Sequence, residues 1–193
     1  MQKIVSWECA EAFAKRPPVI WCYGYSAAGK STLARCLCDI LKREVIATAL
    51  LDGDVLRKGL CSGLGFSQHD RTENIRRVAE VAVLLINAGV TAVVACITPR
   101  EADRELARNI IGHKRFFDVF VDTPLDVCKQ RDPKGLYKKA LAGELPDFTG
   151  VDSPFEMPGA PAMHMAAFRE RPERMAAKVL ARLANTLMIT DAV

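Results

Sequence analysis

The chain has 193 residues and a net charge of +4; 50% of its residues are hydrophobic and 26% charged. That length suits one domain, 1–193, with enough interior for a real core, and the balance is that of a water-soluble globule. No run approaches the ~20 apolar residues of a membrane span and no block of like charges marks a nucleic-acid tract, so neither a membrane nor nucleic acid is an expected partner.

The opening "MQKIVSWECAEAFAKRPP" is charged throughout and has no apolar centre, so it does not read as a secretory signal, and a cytoplasmic location is expected. Seven cysteines lie scattered among apolar residues with no CxxC pair, the pattern of reduced, buried thiols.

In chain order, "VIWCY" (19–23) is β-branched and aromatic and predicts a buried strand. A helix is expected from about Lys30 to Arg43, then a strand over "VIATALL" (45–51). Ile75, Val78, Ala82 and Leu85 repeat at helical spacing, which predicts a helix from Thr72 to Ala88 with Asp70 or Thr72 as its cap, Glu73 completing a capping box, and Gly89 as its stop. "VTAVVACI" (90–97) predicts a third strand, Glu101 to Ile111 a third helix, and "FFDVFVD" (116–122) a fourth strand. From Arg131 to Pro161 the chain is rich in Pro, Gly and Lys without sustained periodicity, and a closing helix is expected from about Pro172 to Leu187. Strands alternating with helices predict an α/β fold, a parallel sheet covered on both faces, with a core of about 19–190.

Between the first strand and the first helix, Gly24-Tyr25-Ser26-Ala27-Ala28-Gly29-Lys30-Ser31 matches G-x-x-x-x-G-K-[ST]. Its glycines let the backbone turn tightly around an anion, and its N–H groups, with those opening the helix, then point at phosphate oxygens. Lys30 would reach the outer phosphates of a nucleoside triphosphate, and the Ser31 hydroxyl would ligate Mg²⁺. "LLDGDVLRKGL" places Asp52 and Asp54 at the C-terminal end of the second strand, the edge that faces the ligand crevice in an open parallel sheet. Two carboxylates there can hold Mg²⁺ or accept a proton from an attacking hydroxyl. Arg57, Arg71, Arg76 and Arg77 follow; guanidinium forks suit phosphate or sulfate oxygens, although the last two read equally well as a wet helix face.

Two longer stretches, "LLDGDVLRKGLCSGLGFSQHDRTENIRRVAEV" and "FVDTPLDVCKQRDPKGLYKKALAGELPDFTGVDSPFE", resemble the adenylyl-sulfate kinase (APS kinase) family, with similarity running from about Val19 to Glu156. The resemblance implies a P-loop NTPase-type fold with a mobile lid over about 131–161. It also implies ATP-dependent phosphorylation of the ribose 3′-hydroxyl of adenosine 5′-phosphosulfate (APS), giving PAPS and ADP in sulfate assimilation. It places ATP on Gly24, Ser26, Ala27, Ala28, Gly29, Lys30, Ser31 and Thr32, with Arg131 against its adenine or phosphates. Asp54 corresponds to the family's carboxylate at the 3′-hydroxyl, and Asp52 to its companion on the Mg²⁺ side. Arg57, Arg71 and Asn74 correspond to residues that hold the phosphosulfate and ribose, Phe66 and Phe148 to rings that sandwich the substrate adenine, and Ile97, Lys134 and Lys139 to further substrate contacts.

The match departs in places. Thr98 stands where the family often has a serine that can be phosphorylated; it keeps the hydroxyl and adds a methyl. Gly63 replaces a common aspartate, and "MPGAPAMHMAAF" (157–168) matches poorly apart from His164, expected to be a surface or packing residue. A homodimer is the expected assembly, and association or fusion with an ATP sulfurylase is a further expectation. The rival readings are a kinase for another small nucleotide or sugar, a regulatory module that binds nucleotide without catalysis, and a nucleotide-driven switch or motor.

Overall fold

The structure, a computed structural model, describes residue 11 and residues 13–190. Five strands, β1 (Val19–Tyr23), β2 (Thr48–Asp52), β3 (Thr91–Ala95), β4 (Phe116–Asp122) and β5 (Met163–Ala166), form one sheet in the order β2-β3-β1-β4-β5. Every pairing is parallel; Val19 lies opposite Ala92 on one side and Phe116 on the other. The helices are α1 (Lys30–Arg43), α2 (Gly53–Leu56), α3 (Gln68–Asn87), α4 (Glu101–Ile111), α5 (Leu125–Arg131), α6 (Leu136–Leu141) and α7 (Pro172–Thr190).

Strand alternation sorts the core into two layers. Ile20, Cys22, Val93, Val119 and Val121 face α1 and α7, whereas Val19, Trp21, Tyr23, Ala92, Val94 and Phe120 face α3 and α4. Being buried on both faces explains why β1 reads as an unbroken apolar run and why β3 and β4 are mainly apolar, with Thr91 and Asp118 as buried exceptions.

The expected elements stand, with differences at the start of β2, at the start and cap of α3, and in stretches given no element, where α2, α5, α6 and β5 form. β2 begins at Thr48 rather than Val45, because 44–46 close α1: the Val45 N–H donates to the Lys42 carbonyl (3.1 Å) and the Ile46 N–H to the Leu41 carbonyl (2.9 Å). That is a Schellman ending, with buried Ile46 packed beside it and Val45 in the left-handed position at φ 62°. The long helix starts at Gln68, four residues before the expected Thr72, and its cap is neither Asp70 nor Thr72. The Ser67 hydroxyl caps the helix by accepting from the Asp70 N–H (3.2 Å), and the Asp70 carboxylate accepts in turn from the Ser67 hydroxyl (2.9 Å) and the Gly65 N–H (3.1 Å). Glu73 instead pairs with Arg76 and Arg77 (2.7 and 2.8 Å), as expected of a wet helix face. Finally, the aperiodic stretch holds the short helix α6, and the poorly matched 157–168 segment supplies β5, where His164 pairs with Asp122 at 2.8 Å and packs against Phe120.

Valine is a poor occupant of the left-handed region, and Val45 is 91% exposed, so its side chain gains little from packing. Val45→Gly is therefore expected to stabilise the protein by about 1 kcal/mol, raising Tm by roughly 2–4 °C in a thermal melt; an unchanged or lower Tm would contradict the strain assigned to this turn.

Candidate active site

The chain leaves β1 into the glycine loop, and two positions there require glycine. At Gly24 (φ 147°) a β-carbon would stand 2.5 Å from the Val121 carbonyl oxygen, so the loop lies flush against β4. At Gly29 (φ 109°) the same carbon would meet open space, and only the backbone conformation selects glycine. Ala27 shares the left-handed region at φ 59°. The loop is braced from outside: the Gly24 N–H donates to Ile97 (3.2 Å), the Thr123 hydroxyl to the Ala28 carbonyl (2.9 Å) and the Tyr137 hydroxyl to the Ser26 carbonyl (3.2 Å).

Gly29 is the N-cap of α1, no side chain caps this helix start, and its first turn carries no acid. Its unsatisfied N–H groups and positive dipole end are thus left to an anion. Lys30 is buried, with its Nζ donating to the Tyr25 carbonyl at 2.5 Å. Burial lowers its pKa from 10.5 to about 8, partly offset by Cys96, Asp54, Cys128 and Asp52. Both acids of the "DGD" string therefore lie within electrostatic reach of the loop lysine. Ser31 is half-buried and Thr32 exposed on the first turn of α1.

Across β3 from β1, Asp52 ends β2 and its carboxylate accepts the Asp54 N–H (3.0 Å), which starts α2. Asp52 is buried, while Asp54 is exposed and paired with Lys134. For a divalent cation the available donors are hard oxygens: the Ser31 hydroxyl and the Asp52 and Asp54 carboxylates. Among the described residues no group of three or more acids, histidines or cysteines could hold a metal ion.

The acceptor side differs in detail from expectation. Arg57 and Arg71 direct their forks at backbone. Arg57 donates to the Gly65 carbonyl (2.9 Å) and lies 4.4 Å over the Phe66 ring. Arg71 donates to the carbonyls of Phe66 (2.8 Å) and Asp147 and to the Thr149 hydroxyl (3.0 Å), so it ties together the two segments that carry Phe66 and Phe148. Phe66 is 44% exposed, whereas Phe148 is buried edge-on to Tyr137 at 5.0 Å, so the two rings do not form an open pair. Asn74 is buried and its Oδ1 lacks a partner.

Ile97 is half-buried at the end of β3. Thr98 departs most from its expected part. It is buried, its hydroxyl accepts from the Trp21 indole N–H (3.0 Å) and its carbonyl from Arg104 (3.0 Å). It acts here as a brace inside the fold and does not present its hydroxyl for phosphorylation.

The basic cover begins with exposed Arg131, whose guanidinium points at the Ala27 carbonyl (3.4 Å). Asp132 caps α6 through the Tyr137 and Lys138 N–H groups, and α6 carries Lys139 outward to solvent. The Asp152 carboxylate then accepts from the N–H groups of Asp147 (2.8 Å) and Phe148 (2.5 Å), folding the "DFTGVD" turn. Of the bracing residues, Tyr25 is a variable position of the loop pattern, Thr123, Tyr137 and Glu156 lie within the second matched stretch without an assigned role, and Arg104 lies outside both.

A loop of this shape at the head of a parallel sheet fits the phosphate chain of a nucleotide, and two acids stand at the next strand end beyond it; the class is that of P-loop kinases. Comparison with known proteins narrows it. The sequence pattern described as adenylylsulphate kinase matches residues 16–166. An adenylyl-sulfate kinase of Enterobacter sp. (strain 638) is 54% identical over 150 residues, covering 78% of this chain and 75% of its own. One from Pseudomonas aeruginosa is 50% identical over 169 residues, covering 88% and 86%. The APS kinase of Mycobacterium tuberculosis, solved in complex with AMPPNP and APS, superposes with a TM-score of 0.83 at 42% identity, covering 87% of this chain and 98% of that one. The chain belongs to the adenylyl-sulfate kinase family.

Lys30 binds fewer protons folded than unfolded between pH 8 and 10.5, so its contribution to stability rises with pH across that window. Lys30→Met is expected to be more stable than the parent at pH 7, by on the order of 1–3 kcal/mol, with the difference shrinking as pH rises from 8 to 10.5. Urea midpoints at pH 7 and pH 10 check this; a constant difference would contradict the assigned burial cost.

Proposed function

We propose that the protein transfers the γ-phosphoryl group of ATP to the ribose 3′-hydroxyl of APS, giving PAPS and ADP. The observation that carries this reading is the opposition of buried Lys30 and the uncapped start of α1 to Asp52 and Asp54, within a chain of this family.

In this reading the triphosphate lies on Gly24, Ser26, Ala27, Ala28, Gly29, Lys30, Ser31 and Thr32, with Arg131 over its outer side. Lys30 leaves the Tyr25 carbonyl for the phosphates; a phosphate beside it favours the ammonium and restores the pKa that burial lowers. Ser31 and Asp52 would hold Mg²⁺, which would supply charge neutralisation at the phosphates. Asp54 aligns the 3′-hydroxyl and takes its proton as the new oxygen–phosphorus bond forms and the bond from the γ-phosphorus to the β–γ bridging oxygen breaks, releasing ADP. Arg57 and Arg71 turn from their present partners to the phosphosulfate and ribose as the acceptor enters, joined by Asn74, and Ile97, Lys134 and Lys139 complete the contacts.

The adenine of APS stacks on Phe66, at ~1–3 kcal/mol for such a contact. Phe148 reaches its other face once the segment 147–149 shifts. Residues 131–161 act as a lid that keeps water from the transferring group. Its Lys134 leaves Asp54 as the acceptor enters. A single domain, a homodimer, association with an ATP sulfurylase and a cytoplasmic site of action complete the reading. The free thiols of all six described cysteines suit a reducing compartment.

A coupled ADP-release assay with ATP, Mg²⁺ and APS tests it. Parent protein is expected to form PAPS, Lys30→Ala to lose turnover, and Asp54→Asn to keep ATP affinity while kcat falls by about 10²-fold or more. Full activity in Asp54→Asn would remove its role as base. No PAPS from parent protein, with rapid turnover of another acceptor, would favour a kinase for a different small molecule.

A further inference from the structure

The most heavily bonded buried cation among the described residues has no part in the chemistry above. Arg104, on α4, is 1% exposed. It donates to the Thr98 carbonyl (3.0 Å), twice to the Glu101 carboxylate (3.0 and 2.8 Å) and to the Glu156 carbonyl (2.8 Å). Its guanidinium also lies over two rings, Tyr23 at 5.2 Å and Phe155 at 5.8 Å. A buried guanidinium is costly unless its donors are satisfied, and here most of its partners are backbone and ring faces rather than a buried acid.

Those partners belong to three separate parts of the site. Tyr23 immediately precedes Gly24, the first residue of the phosphate loop. Thr98 follows Ile97, whose carbonyl accepts the Gly24 N–H. Phe155 and Glu156 lie in the C-terminal part of the basic cover, where it packs on the body of the protein. There the Glu156 N–H donates to the Pro99 carbonyl (2.8 Å), the Glu156 carboxylate accepts the Glu101 N–H at the start of α4 (2.7 Å), and Phe155 packs on Tyr25 of the loop at 4.7 Å. The joint also holds strain: Thr98, a β-branched residue, is at φ 43°, and the bonds from Trp21 and Arg104 keep it there.

We propose that Arg104 is a positioning residue for the acceptor: it couples the phosphate loop to the C-terminal anchor of the lid, so that the segment 147–156, with Phe148 and Thr149, is held at the height the acceptor requires. The inference rests on the kinase reading above. Arg104 touches neither nucleotide; it acts through Thr98, Phe155 and Glu156. A guanidinium suits this better than an ammonium, because its planar fork serves two directions while its faces stay on the rings.

The test compares the parent protein with Arg104→Lys and with Glu156→Ala, a change at an exposed residue that removes the carboxylate from the start of α4 and leaves the carbonyl to Arg104. Steady-state KM for APS and for ATP is measured, together with amide hydrogen exchange. Arg104→Lys is expected to raise KM for APS about tenfold and Glu156→Ala about threefold, with KM for ATP within about twofold of the parent. Exchange should quicken over 147–156 in both variants and stay unchanged in α1. Equal losses for both substrates with faster exchange everywhere would mark Arg104 as a general stabiliser and overturn the proposal, as would parental KM values with unchanged exchange. If Arg104→Lys does not fold, Glu156→Ala decides by the same readings. An inactive parent protein would instead refute the kinase reading, and exchange over 147–156 would still decide whether the joint holds the lid.

Discussion

Five strands running the same way bring all their C-terminal ends to one edge, and everything the site needs hangs from that edge. β1 delivers the glycine loop there, β2 delivers Asp52, β3 ends at the turn with Ile97 and Thr98, and β4 ends at Thr123, whose hydroxyl holds the loop's Ala28. After β1 the chain leaves toward β2, whereas after β4 it leaves toward β5. The loop between them therefore opens into the crevice that such a reversal creates. The close approach of Gly24 to the Val121 carbonyl shows how little slack remains: one methyl group there would push the phosphate loop off the sheet.

From that placement the electrostatics follow. A helix start without a side-chain cap and a lysine stripped of much of its water are both unfavourable in isolation, and both are relieved by the same ligand, a chain of phosphates. The Asp52 and Asp54 carboxylates partly offset the cost to Lys30 meanwhile. The basic cover contributes the opposite charge to Asp54 through Lys134. That pair is exposed and solvent-screened, so it gives way readily to a competing partner.

The phosphate loop, the two acids and four of the five strands were legible in the sequence because their signals are local: a fixed spacing, an apolar run, a pair of acids just past a strand. β5 was not, since four residues reading "MHMA" carry no clear alternation and owe their place to pairing with β4. The start of β2 was misread because "VIA" has strand composition, yet Val45 and Ile46 spend it on closing α1. The resemblance named Arg71 and Thr98 but not what they touch, because their partners lie far away in sequence: Thr149 and Asp147 for one, Trp21 and Arg104 for the other. Contacts of that range leave no periodic trace. The same reason hid Arg104 altogether.

The central claim is that the Lys30 loop and the Asp52–Asp54 edge hold a phosphate chain and a ribose hydroxyl in line. Phosphorus NMR of a reaction containing ATP, Mg²⁺ and APS reads this directly. The account predicts that the γ-phosphate signal of ATP is replaced by a phosphomonoester coupled to the ribose 3′-proton, with the phosphosulfate signal retained. Conversion of ATP to ADP and inorganic phosphate with APS left unaltered would contradict it.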